Sequence, residues 1–216
     1  MEYQAKTAYR SRAVVDKYDR ERFKNLKGSI TNRLELRLVG EALKSSGILP
    51  PARLLDVPCG TGRLTEYLLE KGYRVRGADI SPEMVRYTNQ RLGDRSAEDL
   101  RRARVENAEN LSFPDAAFEA TVSLRLFGHT PPEIRSRILG ELKRVSADCL
   151  ILAYYDRLSL AGIIRKVRRG KGGITWNPVN ISEIRRELDQ AGLKIRKVSY
   201  LARGLAETMV VAANHQ

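Results

Sequence analysis

Cysteine is almost absent from the 216 residues: Cys59 and Cys149 stand ninety positions apart, with no CxxC or Cys/His spacing around either. That excludes a disulfide scaffold and argues against a zinc site, so no metal is expected and a reducing cytoplasm is the expected setting. No apolar run approaches the ~18 residues of a membrane span. The opening "MEYQAKTAYRSRAVVDKYDR" carries charges and no apolar core, so no secretory signal is expected. Histidine is scarce too, with only His129 and His215.

Acidic residues are outnumbered, 26 against 39 Lys and Arg, for a net charge of +13. The imbalance is uneven. Basic and acidic residues stand at 11 against 6 over 1–50 and at 12 against 5 over 151–216, but nearly cancel in between. Such ends suit an anionic partner or substrate, or simply a soluble basic surface. With 42% hydrophobic residues the chain can bury one substantial core.

Apolar periodicity predicts helices over 2–24, 33–46, 62–72, 82–92, 131–145 and 181–192. Ser81 and Pro82 supply start chemistry for the fourth of these, Ser182 lies near the start of the last, and Gly192 closes it. Strands are predicted at 53–57, 73–80, 103–108, 118–124, 149–155, 193–201 and 207–213. Alternating strands and helices imply a mostly parallel sheet covered on both faces. The "ARGLA" joint before the last strand is too short for a parallel crossover, so that strand is expected to run antiparallel.

The informative stretch is "LLDVPCGTGRL" at 54–64. Asp56 ends a strand, and Gly60 and Gly62 follow at once, offering bare backbone to a ligand beyond the strand ends. Seventeen residues after Gly62, Asp79 ends the next strand, where a carboxylate accepts hydrogen bonds from both hydroxyls of a ribose. A nucleoside-containing cofactor fits. A dinucleotide asks for a third glycine where Thr65 stands, and Asp56 would repel its diphosphate. A cofactor bearing an ammonium and a sulfonium suits that charge better, which favours S-adenosylmethionine.

"LLDVPCGTG" with "GADISPEMVRYTNQRL" resembles the first two motifs of the class I S-adenosylmethionine-dependent methyltransferases. "NAENLSFPDAAFEATVSLRLFGH" is similar to the downstream motifs of the ubiquinone/menaquinone-biosynthesis type. The resemblance runs from Leu54 to His129 and more loosely beyond. It implies a Rossmann-like, seven-stranded, mostly parallel sheet with an antiparallel last strand and a small helical cap. It implies residues 1–48 as an N-terminal helical part and 49–216 as the cofactor-binding domain, with a cap insertion at 156–180. S-adenosylmethionine would be the cofactor and S-adenosylhomocysteine the product.

Carried onto this chain, the resemblance places Asp56 near the cofactor's amino-acid end and Gly60, Thr61 and Gly62 along its methionine moiety. Asp79 would hold the ribose, Ile80 and Met84 the adenine faces, and Asn107, Ala108 and Glu109 the adenine edge. Ser123 would face the cofactor through its backbone. Tyr18 and Arg22, one helical turn apart, are expected to close over the methionine end, or else to lie on a solvated helix. Cys59, in the glycine loop, reads as a small packed residue rather than a nucleophile.

Methyl transfer needs mainly alignment, an effect worth roughly 7–11 kcal/mol, and a base only if the nucleophile is protonated. His129, just past the fourth strand, is the candidate base, while His215 falls in what reads as a frayed tail. Arg125, Tyr155, Arg165 and Trp176 are the candidate substrate contacts. The Asn/Asp-Pro-Pro-Tyr/Phe motif of enzymes that methylate base amines is missing, since "SLRL" stands in its place; nucleic acid is therefore a disfavoured substrate. The basic, apolar-studded segment 159–178 allows a cap over an anionic substrate, a face for anionic lipid, a solvated helix or an RNA patch. The expected function is methyl transfer to an oxygen of an anionic or membrane-associated small molecule or glycan, at the membrane periphery or in the cytoplasm. A non-catalytic cofactor binder and a protein-lysine methyltransferase remain as alternatives, the latter in conflict with the basic cap. Oligomeric state is not encoded in any recognisable pattern.

Overall fold

A computed structural model of the chain describes residues 14, 15, 19, 26–93, 102–168 and 176–216. In chain order its elements are α1 (Leu26–Ser45), β1 (Arg53–Asp56), α2 (Arg63–Glu70), β2 (Arg74–Asp79), α3 (Pro82–Leu92) and β3 (Arg104–Val105). There follow β4 (Phe118–Ser123), a 3-10 turn (Phe127–His129), α4 (Pro132–Val145), β5 (Ser146–Tyr155), α5 (Leu160–Arg168), α6 (Ile181–Gln190), β6 (Leu193–Tyr200) and β7 (Thr208–His215). One seven-stranded sheet results, in the order β3-β2-β1-β4-β5-β7-β6. β3, β2, β1, β4 and β5 run parallel, and β7 is antiparallel to both β5 and β6.

The central strands β1, β4, β5 and β7 bury both faces, which is why they read as nearly continuous apolar runs. Along β5, Leu150, Leu152 and Tyr154 point into one core with Ile134, Ile138, Leu142, Ile184 and Leu188 of α4 and α6. Cys149 and Ile151 point the other way, into a core with Val39 and Leu43 of α1 and Leu64 and Leu68 of α2. β6 is an edge strand. Its charges Lys194, Arg196 and Lys197 and a register shift between Ile195 and Lys197 discourage pairing with another sheet.

Helix starts carry the chemistry of their residues. The Ser81 hydroxyl accepts from the Met84 amide at 3.3 Å, with Pro82 in the first turn of α3. α6 opens on Asn180 rather than Ser182: the Asn180 side chain accepts from the Glu183 amide at 2.9 Å, and Glu183 accepts from the Asn180 amide at 2.7 Å.

Three expectations change. His215 is not in a frayed tail but in β7, paired with Leu193. The third strand is two residues long rather than six, because the chain turns back at Asn107–Asn110. α1 begins seven residues earlier than its apolar periodicity suggested. The expected helix over 2–24 lies outside the described residues except for Val14, Val15 and Asp19, which are helical.

Candidate active site

Asp56, Asp79 and Ser123 end β1, β2 and β4, on the rim of the sheet where the strand order reverses direction between β1 and β4. In open α/β sheets this is where ligands bind. The loop after β1 is held by its own backbone, with the Cys59 amide on the Ala78 carbonyl at 2.8 Å and the Gly62 amide on the Cys59 carbonyl at 2.9 Å. Gly62 caps α2 with φ +78°, and a β-carbon there would stand 2.8 Å from Thr88 Cγ2. No other residue fits without displacing α3.

Two carboxylates face this loop. Asp79 accepts from the Gly60 amide at 3.0 Å and the Ser81 amide at 2.9 Å. Asp56 accepts from the Thr65 hydroxyl at 2.6 Å, while its Oδ1 is buried with no hydrogen-bond partner. Burial pushes Asp56 up to about 7, against the Thr65 bond and helped by the charge of Asp79. Burial likewise pushes Asp79 up to about 6, against the amides of Ser81 and Gly60. Carboxylates so raised gain from a cation or a hydrogen-bond donor arriving beside them.

Met84 is buried and Ile80 half-buried beside Asp79. The Glu106 amide donates to the Asp79 carbonyl at 3.0 Å, which brings the Asn107–Asn110 turn alongside. In that turn Asn107 Oδ1 accepts from the Glu109 amide at 3.1 Å, Ala108 packs on the core, and Glu109 pairs with Arg137 of α4 at 3.6 Å. The Ser123 side chain is buried. Cys59 is packed against Gly77, and burial with the charges of Asp79 and Asp56 pushes its thiol well up, out of nucleophile range.

Tyr18 and Arg22 lie outside the described residues. Asp19, which the sequence did not single out, sits between them and is buried. Its Oδ1 pairs with Arg63 of α2 at 3.1 Å and with Arg91 of α3 at 3.3 Å, and Thr61 hydrogen-bonds to it. Burial works to raise this carboxyl, but the two arginines outweigh it and hold it below its ordinary value. Asp19 is thereby held at Thr61 of the glycine loop and at the arginines of α2 and α3.

Farther along the rim a second group gathers past β4 and β5. The hydroxyl of Tyr155 lies 3.3 Å from His129 Nε2, with the two rings nearly perpendicular at 5.4 Å. Arg165 of α5 places its guanidinium 5.8 Å from the ring centres of both Tyr155 and Trp176, and pairs with Glu207 at 3.0 Å. Four of the five candidate catalytic and substrate residues thus meet. The fifth does not: Arg125 turns inward to a buried pair with Glu35 of α1, which also accepts from the Thr208 hydroxyl at 2.9 Å. The Glu35 carboxylate, shared between Arg125 and Thr208, ties α1 to the end of β4 and to β7. Among the described residues no cluster of His, Cys, Asp and Glu is arranged to hold a metal.

A family described as "Methyltransferase domain" matches residues 54–148, from β1 to the start of β5. The chain is similar to a probable fatty acid methyltransferase of Mycobacterium tuberculosis, at 32% identity over 50% of this chain and 24% of that protein. It is similar to a phosphatidylethanolamine N-methyltransferase of Cereibacter sphaeroides, at 28% identity over 58% of this chain and 63% of that protein. The chain therefore spans about a quarter of the first relative's length and under two thirds of the second's. Its fold is that of magnesium protoporphyrin IX methyltransferase from Synechocystis with bound S-adenosylhomocysteine, with a TM-score of 0.73 at 19% identity over 94% of this chain and 99% of that one. With β1, β2 and β4 carrying Asp56, Asp79 and Ser123 to one rim, and β7 antiparallel in the sheet, the chain has the Rossmann-like fold of the class I S-adenosylmethionine-dependent methyltransferases, and its residues 54–148 match a methyltransferase domain.

Proposed function

We propose that the protein transfers a methyl group from S-adenosylmethionine to an oxygen of an anionic, lipid-like acceptor. The observation that carries this reading is the contact between Tyr155 and His129 beside the Arg165 guanidinium, on the same rim as Asp56 and Asp79. The residues of the loop fit the cofactor: a buried, unpartnered Asp56 Oδ1, a raised Asp79, and glycine backbone with no side chain in the way. Bound there, S-adenosylmethionine supplies an electrophilic methyl on a positively charged sulfur.

The chain's own residues do the rest. Asp79 accepts from the ribose hydroxyls, Met84 and Ile80 give the adenine apolar walls, and Asn107 offers an amide to its edge. Asp56 balances the cofactor's positive charge from within the fold. At the acceptor, His129 Nε2 takes a hydroxyl proton, directly or through the Tyr155 hydroxyl, and Arg165 holds the acceptor's negative charge. The names of the two relatives, a fatty acid and a phosphatidylethanolamine methyltransferase, favour a lipid-like acceptor.

Formation of S-adenosylhomocysteine from S-adenosylmethionine in the presence of a panel of carboxylate, phenol and phospholipid acceptors tests this. His129→Ala is expected to lower kcat by on the order of a hundredfold or more, with S-adenosylmethionine affinity unchanged. Undiminished turnover in His129→Ala would remove the proton-acceptor role. Cofactor binding with no turnover on any acceptor would make the protein a binder instead.

A further inference from the structure

α5 turns its apolar side outward. Leu160, Ile163, Ile164 and Val167 fall at the i, i+3, i+4, i+7 spacing of a single helical stripe, and they are 51%, 50%, 41% and 81% exposed. The opposite side of the helix rests on Gly162, buried, where a β-carbon would stand 2.6 Å from the Asp156 carbonyl oxygen. Only a glycine lets the helix sit this low, and its seating on that side directs the stripe to solvent.

The stripe continues onto a second segment. The Leu160 amide donates to the Gly204 carbonyl at 2.9 Å and the Ala161 amide to the Leu205 carbonyl at 3.0 Å, so the β6–β7 loop abuts the start of α5. Leu205 is 63% exposed there, and Leu158, in the turn before α5, is 71% exposed. Six of the eleven large apolar side chains exposed among the described residues therefore belong to these two adjoining segments. A concentration of this kind marks an interaction surface.

Charge identifies the occupant. Residues 157–171 hold six basic residues and no acidic one. Within α5, Lys166 flanks the stripe and Arg203 stands in the adjoining loop, while Arg165 turns inward to Glu207. An apolar stripe bordered by cations on a short surface helix is the pattern of an interfacial anchor, with apolar side chains at the acyl boundary and basic ones among anionic headgroups.

We infer that α5 and the β6–β7 loop dock this protein onto the surface of an anionic lipid bilayer. The docking stands independently of the proposed reaction. It also bears on it: the helix that meets the lipid carries Arg165, whose guanidinium faces Tyr155 and Trp176, so the residues proposed to meet the acceptor lie next to the docking face.

Flotation of the full chain with phosphatidylcholine vesicles, with and without phosphatidylglycerol, tests the docking in the absence of cofactor, so that loss of methyl transfer and loss of docking are read separately. The wild type is expected to float with the phosphatidylglycerol vesicles alone and to be released by salt. Replacing Ile163 and Val167 together by Asp should weaken partitioning by on the order of a hundredfold. The circular-dichroism melting curve should not move, since both side chains already face water. Lys166→Glu should weaken binding and its salt dependence together. Absence of wild-type binding, equal binding to neutral vesicles, or unchanged binding of the double variant would overturn the inference. A wild type that dimerises without lipid, becomes monomeric in the double variant and ignores vesicles would assign the face to a second copy instead.

Discussion

At Gly128 the 3-10 turn runs against the ring of Tyr155, and a β-carbon there would lie 2.2 Å from Tyr155 Cδ2. The ring itself would have to move, and its hydroxyl is the atom that meets His129. Gly128→Ala is therefore expected to cost about 1–3 kcal/mol in urea unfolding, as overpacking does. It should also lower kcat while leaving S-adenosylmethionine affinity intact, because the ring that moves is the one whose hydroxyl meets His129. A variant that loses affinity but keeps turnover would contradict the role proposed for Tyr155 and His129 at the acceptor. Individual residues were only partly legible in advance. Asp56 and Asp79 announced themselves, because acid at a strand end followed by glycine is a local pattern. Arg125 looked equally suited to a substrate, and nothing near it foretold Glu35, ninety residues earlier in the chain. Asp19 was missed for the same reason, since its arginine partners belong to α2 and α3.

Elements were more legible than their surroundings. The start of α3 was evident in Ser81 and Pro82, and the alternation of strand and helix was enough to anticipate a covered parallel sheet. At α6 the hydroxyl of Ser182 drew attention away from Asn180, although Asn180 with Glu183 makes the reciprocal pair of bonds. Asn180→Ala is expected to cost about 1 kcal/mol by thermal or urea unfolding, and Ser182→Ala far less. α5 marks the boundary of what pattern alone conveys. Its apolar stripe has the spacing of any core-facing helix, and direction is set by the fit of Gly162 against Asp156, a tertiary contact. β3 shows the same limit from the other side, since a turn closed between Asn107 and Asn110 ends a strand whose composition would have continued it.

For the whole molecule, pH sets two tendencies against each other. With Asp56 pushed up to about 7 and Asp79 to about 6, both above the ~3.9 of an unfolded aspartate, the folded chain holds more protons than the unfolded one in between. The stability these groups contribute is full below the unfolded value and is lost as pH rises through 6 and 7. Bound S-adenosylmethionine is a cation and favours the ionised carboxylates, so its affinity should rise across the same window. The cofactor-free Tm is thus expected to fall from about pH 5 to about pH 8, and the Tm gain from S-adenosylmethionine to grow. Scanning fluorimetry reads both, and Asp56→Asn should flatten each. With only two histidines in the chain, few other groups titrate there.

The position of β7 has a consequence for synthesis. It lies between β5 and β6, antiparallel to each, yet follows β6 in the chain. A nascent chain that has emerged from the ribosome only as far as β6 holds five parallel strands with an open β5 edge, and a β6 with no strand to pair with. During that interval the open edge is the place for a chaperone to bind, or for the strand of a neighbouring nascent chain to pair wrongly. It closes when β7 slides into the gap.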